Sequence, residues 1–325
     1  MPTRANLLHE PVEWSARVVA LDLLASANKH RARLNNKRNT DALHDFRVAV
    51  RRLRSWLRAL DPWLDGSTPG RQVRRLKKAA RATNASRDAD VRLVWLRNQR
   101  TGLSPHERRG VNWLIRNIAE QRRDSFQNDV LKGADAFDSA HKKLDRRLRE
   151  YQVQIRDEED ESPPLFDMAI GQLIREHADV LDRSLETIHD PDATRQIHRA
   201  RIAAKRLRYL LDPLEKTVPG AKELVNDIGK LQDALGDSHD VAVFRKEFAT
   251  IAKAANEEGQ AQALAAGLSA IRDRLSARAD DTLAQVRKWL DGDAAALLER
   301  VNIIADALSP PSRPQLALVP QESSA

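Results

Sequence analysis

One eleven-residue pattern occurs twice in the chain. His44-Asp-Phe-Arg47-Val-Ala-Val-Arg51-Arg52-Leu53-Arg54 aligns without gaps on His198-Arg-Ala-Arg201-Ile-Ala-Ala-Lys205-Arg206-Leu207-Arg208. Both copies run on to Asp-Pro, at Asp61-Pro62 and Asp212-Pro213, and further along Ser86-Arg87-Asp88 corresponds to Ser238-His239-Asp240. A repeat of this kind constrains the fold more than composition does, because whatever one half folds into, the other should fold into as well. Residues 1–155 and 165–308 are therefore expected to be two related units. Between them lies 156–164, an acidic run ending in two prolines, which reads as a linker. The tail 309–325, with four prolines and no apolar period, is expected to be disordered.

The material of the repeat is helical. Aromatic residues make up 4% of the chain, glycines number 12, and Ala, Leu and Arg dominate, a composition that favours helix over sheet. The class expected is all-α. Apolar periodicity places helices over 12–38, 41–60, 69–84, 88–100, 105–131 and 136–154 in the first unit. In the second it places them over 165–189, 192–214, 221–235, 238–256, 258–290 and 293–308. Thr68-Pro69 and Ser104-Pro105 each offer an N-cap followed by proline at the first helical position.

Several functions are set aside at this level. Without cysteine the chain has no disulfide, no thiolate metal site and no Cys nucleophile. No stretch approaches the roughly 20 apolar residues of a membrane span. The most apolar early segment, Val18 to Ala27, is broken by Asp22 and lacks a signal-peptide cleavage site. A cytoplasmic protein without membrane contact is expected. The formal charge of +8 is unevenly spread: residues 1–155 carry 33 Lys and Arg against 17 Asp and Glu, whereas 156–325 carry 22 against 30. Such asymmetry points to an anionic partner of the first half, without saying which anion.

Helical geometry organises the repeated cations. With about 100° per residue and His44 at zero, Arg47, Arg51, Arg54 and Arg58 fall near 300°, 340°, 280° and 320°. Phe46, Val50, Leu53 and Leu57 fall on a separate, core-facing side. His198, Arg201, Lys205 and Arg208 repeat the stripe in the second copy. A third helix puts Arg71, Arg74, Arg75, Lys78 and Arg81 on one face, and Lys78 has its counterpart in Lys230. Like charges at these spacings repel by a few tenths of a kcal/mol per pair, so an anion is needed to offset them. Guanidinium matches phosphate with two parallel hydrogen bonds, and imidazole adds a donor that strengthens on protonation. A linear polyanion can be tracked along such a stripe, with counterion release adding affinity and salt sensitivity.

The doubled His-x-x-Arg-x-x-x-Arg/Lys-Arg-Leu-Arg pattern, with its Lys-bearing helix and Arg/His-Asp element, resembles the CHAD family, the conserved histidine α-helical domain, up to about residue 305. The resemblance implies a pair of pseudo-symmetric antiparallel four-helix bundles whose basic helices face each other across a groove or pore. It also implies binding of inorganic polyphosphate and association with polyphosphate granules, with polyphosphate-metabolising enzymes or granule proteins as further partners. Carried over residue by residue, the binding positions are His44, Arg47, Arg51, Arg52 and Arg54, with His198, Arg201, Lys205, Arg206 and Arg208. The helical faces add Arg58, Arg74, Lys78 and Lys230. No catalytic residue, metal ligand or cofactor is expected.

Two other functions compete. His44-Asp45 and His239-Asp240 suggest a metal-dependent phosphohydrolase of the HD type, but the copy of His44 is followed by Arg199 and the surrounding arginines repel a metal ion. A nucleic-acid binder would use the same phosphate tracking, yet the chain carries no zinc finger or RNA-recognition signature, and its six tryptophans read as core anchors. Arg87-Asp88 and His239-Asp240 are expected to cap helices or pair with cations rather than touch ligand.

Overall fold

A computed structural model describes residues 4–34, 40–64, 66–150, 164–189, 194–257 and 261–309. Most of the expected linker 156–164, residues 310–325 of the expected tail 309–325, and the last residues of the helix expected over 12–38 lie outside this set. Eleven α-helices are formed among the described residues. In the first half these are α1 (Val12–Arg33), α2 (Thr40–Ala59), α3 (Gly70–Ala82), α4 (Asn84–Asn98), α5 (Pro105–Ser125) and α6 (Leu131–Arg149). In the second they are α7 (Phe166–Glu186), α8 (Thr194–Leu211), α9 (Ala221–Glu257), α10 (Ala261–Lys288) and α11 (Ala294–Leu308).

Local chemistry accounts for several of the boundaries. Ser104 closes a full capping box with Glu107 and has Pro105 behind it, which fixes the start of α5. Thr68 does not cap α3: that helix begins at Gly70 with Pro69 at the N-cap, while the Thr68 hydroxyl reaches Asp61 at 3.4 Å. The α3–α4 break falls at Thr83, whose buried hydroxyl donates to the Ala80 carbonyl at 2.8 Å. Its counterpart in the second half is Leu235, which has no hydroxyl, and α9 runs straight through where two helices, 221–235 and 238–256, were expected. Gly236, inside this helix, lies against a side chain of α8, described below. A π-helical turn, Phe126–Val130, joins α5 to α6, and another, Trp289–Asp293, joins α10 to α11 at the matching place.

The helices pack as two outer groups and one shared inner lobe. Helices α1, α2, α3 and α6 form one group, and α7, α8, the first part of α9, and α11 form the other. A continuous apolar core runs through both, with Trp56, Phe46 and Phe137 in the first and Leu207, Leu211 and Val301 in the second. The inner lobe joins α4 and α5 to the last part of α9 and α10, and has a core of its own: Leu93, Val111 and Ile118 meet Phe244, Phe248 and Ile271. Of the tryptophans, Trp56 is fully buried and the others pack against one of the two cores.

Two contacts hold the halves in register. Phe166 N–H donates to the Glu10 carbonyl at 2.9 Å, and Val12 N–H to the Pro164 carbonyl at 3.0 Å, so α1 and α7 start side by side. In the inner lobe, α5 and α10 cross where Gly110 meets Gly267. A Cβ on Gly267 would stand 2.2 Å from the Glu107 carbonyl oxygen, and one on Gly110 would stand 2.6 Å from that of Leu264. The contact is reciprocal, as in a two-fold interface.

This crossing makes a stability prediction. Backbone cannot yield as a side chain can, so Gly267→Val should cost about 3 kcal/mol, the upper end of usual overpacking penalties. The cost would be read as a fall in the urea midpoint. Gly292→Ala, whose added methyl would meet nothing within 4 Å, should leave that midpoint nearly unchanged.

Candidate functional site

The repeated motif helices are α2 and α8, and they lie next to each other at the junction of the halves. Each is anchored by its apolar side: Leu43, Phe46, Val50 and Leu53 on α2, and Ile197, Ala204, Leu207 and Leu211 on α8, are all buried. Burial of those faces turns the cationic stripes toward each other. The meeting is visible in the electrostatics. Burial is the main cause that holds Lys205 down to about 7, with Arg201 and then Arg51 of the opposite half adding to it. Arg47 is held down to about 10 by burial and by Arg51, with Arg201 across the junction contributing. Burial and Arg201 likewise lower Arg51, against the pull of Tyr209.

Two carboxylates, one from each half, sit among these cations. Asp88 lies 3.8 Å from Arg47, and Asp240 lies 3.5 Å from Arg201, each with about half of its side chain exposed. Partial desolvation pushes the Asp88 carboxyl up despite Arg47 and Arg92, and Asp240 raises it further. Both acids therefore face one space. They pair with cations as expected, but they do not cap helices, since both lie inside helices.

Two arginines of α8 lie against glycines of α9 in the second half. Gly229 and Gly236 stand two turns apart on α9. A Cβ on Gly229 would lie 3.6 Å from the Arg208 guanidinium carbon, and one on Gly236 would lie 3.3 Å from Arg201 Nε. The bare backbone of α9 is thus the bed on which two stripe arginines of α8 lie. Their Nε atoms, with that of Arg54, are out of water and find no hydrogen-bond acceptor among the described residues. Buried donors of this kind usually have a partner.

The expected residues divide by position. Arg47, Arg51, His198, Arg201 and Lys205 gather in the junction, with His44 exposed at its edge beside Arg87. Arg54 is lowered by burial and by Arg51, Arg81 and Arg58, so the row continues along α2 toward exposed Arg58. Arg58 also bears on Arg206, which burial lowers first. Arg74 and Lys78 are exposed on α3.

The remaining three are committed to other partners. Arg52 bonds Asp212 at 2.7 Å, and Arg208 approaches the same carboxylate at 3.9 Å, so one nearly buried acid ties α2 to the end of α8. Arg52 and Asp212 also line a separate cavity of about 250 Å³ against α1. Lys230 pairs with Asp227 at 2.7 Å, which Arg300 shares. The sequence reading missed His239, Asp88, Asp240 and Tyr209 as members of the site. The first three were visible in the Arg-Asp and His-Asp repeat, and Tyr209, whose counterpart is Ser55, carried no signal.

Comparison with protein families matches residues 19–249 to the CHAD domain, a span that includes both copies of the motif. Among solved structures, the crystal structure of the CHAD domain from the plant Ricinus communis superposes with a TM-score of 0.60 at 20% identity, covering 94% of this chain and 97% of that one. No curated protein matches the sequence. Among the described residues no helix is long and apolar enough to cross a membrane.

The junction predicts a trade between stability and charge. The folded chain holds Lys205 near 7, whereas the unfolded chain holds a lysine near its ordinary 10.5. Between those values the unfolded state binds more protons, so this residue makes stability rise with pH from about 7 to 10.5. Lys205→Met should flatten that rise and melt about 2–4 °C or more above the parent at neutral pH, as measured by circular dichroism. Arg52→Ala should do the opposite, costing on the order of 2 kcal/mol. That is below the loss for a fully buried pair, because Arg208 remains beside Asp212.

Proposed function

The chain belongs to the CHAD family, and from its groove of facing cations we propose that it binds inorganic polyphosphate without turning it over. The observation that carries this reading is the meeting of Arg47 and Arg51 with Arg201 and Lys205, in which cations from both halves oppose one another's charge. Asp88 and Asp240 are too few to balance them. A polymer with a negative charge on every phosphoryl unit reverses each of these penalties at once and supplies acceptors for guanidinium donors. The binding residues are those of α2 and α8 in the groove, with Arg54 and Arg58 extending the row and Arg74 and Lys78 on α3 as an outlying cationic face.

Polyphosphate fits better than nucleic acid. Its charges are contiguous and it carries no bases, and the tryptophans that could stack bases are packed on the cores. Binding also fits better than hydrolysis of the HD type, because Asp45 is held by Arg33 at 2.7 Å and lies 3.7 Å from His30, on the α1 side of His44. The setting we propose is cytoplasmic, at polyphosphate granules, where the protein would meet granule proteins or enzymes of polyphosphate metabolism.

Calorimetry with long-chain polyphosphate across a salt series tests the reading, with single-stranded DNA as the control. Affinity should fall steeply with salt, DNA should bind more weakly, and Arg51→Glu/Lys205→Glu should lose at least about 100-fold. Binding that ignores the charge reversals, or DNA binding of equal strength, would remove polyphosphate from the groove.

A further inference from the structure

His198 of α8 and His239 of α9 face each other with ring centroids 4.5 Å apart and planes tilted by 37°. Nδ1 of each ring is out of water and has no hydrogen-bond partner among the described residues. The other ring nitrogens are therefore left to meet whatever enters the groove. Arg201 lies alongside, against Gly236, with Asp240 at 3.5 Å. The first half is built differently at this point. The residue matching His239 is Arg87, and it bears on His44, the copy of His198. Each half thus sets a basic partner beside its motif histidine, permanently charged in one half and titratable in the other.

We propose that His239 works with His198 as a paired-imidazole clamp on one phosphoryl group, so that the second half of the groove grips the polyanion with uptake of a proton. The proposal rests on the polyphosphate reading above. A neutral imidazole can already donate through Nε2, and protonation adds a full positive charge that strengthens that bond to an anion. Rings this close charge with difficulty unless an anion stands against them. Burial holds both below the ordinary histidine value near 6.5, His198 adds to this for His239, and Arg201 and Lys205 add to it for both. The opposing charges are sparse: Asp240 faces both rings, Asp237 lies further along α9 toward Arg278 of α10, and α2 contributes only Arg47 and Arg51, which bear on Arg201 and Lys205. A phosphoryl group reverses this balance. The complex then holds more protons than the free protein, and affinity rises as pH falls toward and below 6.5.

Lys205 would take up a proton for the same reason, so the test is made in a Lys205→Arg background, where that group stays charged. Calorimetry with long-chain polyphosphate in buffers of different ionisation enthalpy counts protons taken up. From about pH 8 to about pH 6, affinity should rise roughly tenfold, with net uptake. His239→Arg, which installs the residue of the first half, and His239→Gln should each cut the uptake and flatten the pH dependence. Melting curves should show that both variants fold. Unchanged uptake and pH slope in both variants would overturn the clamp while leaving polyphosphate binding standing. Failure of the parent protein to bind polyphosphate at any pH would instead remove the functional reading, and the clamp with it.

Discussion

Holding Arg47 and Arg51 within electrostatic reach of Arg201 and Lys205 costs free energy, because buried cations lose hydration and repel one another. The junction exists because apolar packing elsewhere outweighs that cost. Leucines, alanines and aromatics on the reverse sides of α2 and α8 are buried almost completely, and burial is worth about 25 cal/mol per Å² of apolar surface. The stripes cannot turn away without exposing those faces. The site is in this sense strained by its own fold.

The inner lobe carries the other part of the load. Its core draws on both halves, and the crossing of α5 and α10 at Gly110 and Gly267 allows backbones to approach more closely than any other residue would permit. Without it the halves would touch mainly along α1–α7 and α2–α8, the second of which is the repulsive contact. Asp212 reinforces the junction from behind, where one nearly buried carboxylate answers Arg52 of the first half and Arg208 of the second. Repulsion on the groove side and attraction behind it act across the same pair of helices.

Duplication left the halves similar in plan and different in chemistry. The first half breaks at Thr83 into α3 and α4, while α9 continues through the matching Leu235. Arg87 stands where the second half has His239. Lys230, the counterpart of Lys78, is tied to Asp227, and the basic positions around Lys78 become Asn226, Asp227 and Asp233 in the copy. The cationic face of α3 was therefore not retained in α9. The second half contributes to the groove chiefly through α8 and the histidine pair.

Much of this was legible in the sequence, for a physical reason. Helix class, the two stripes and their core-facing reverse sides follow from residue type and a period of 3.6, which are local properties. The repeat announced that the same helix would be built twice, and family membership followed from the motif. What the sequence left open is non-local. That Arg52, Arg208 and Lys230 would be drawn to carboxylates while Arg51 and Lys205 remained short of them depends on which side chains other helices bring alongside. That Arg201 comes to lie against Gly236 depends on how α8 packs on α9, and the role of Gly110 depends on a helix more than 150 residues away in the chain. Periodicity assigns a residue to a face, but only the packing of that face against others decides whether a charge there is answered by the protein or left for a ligand.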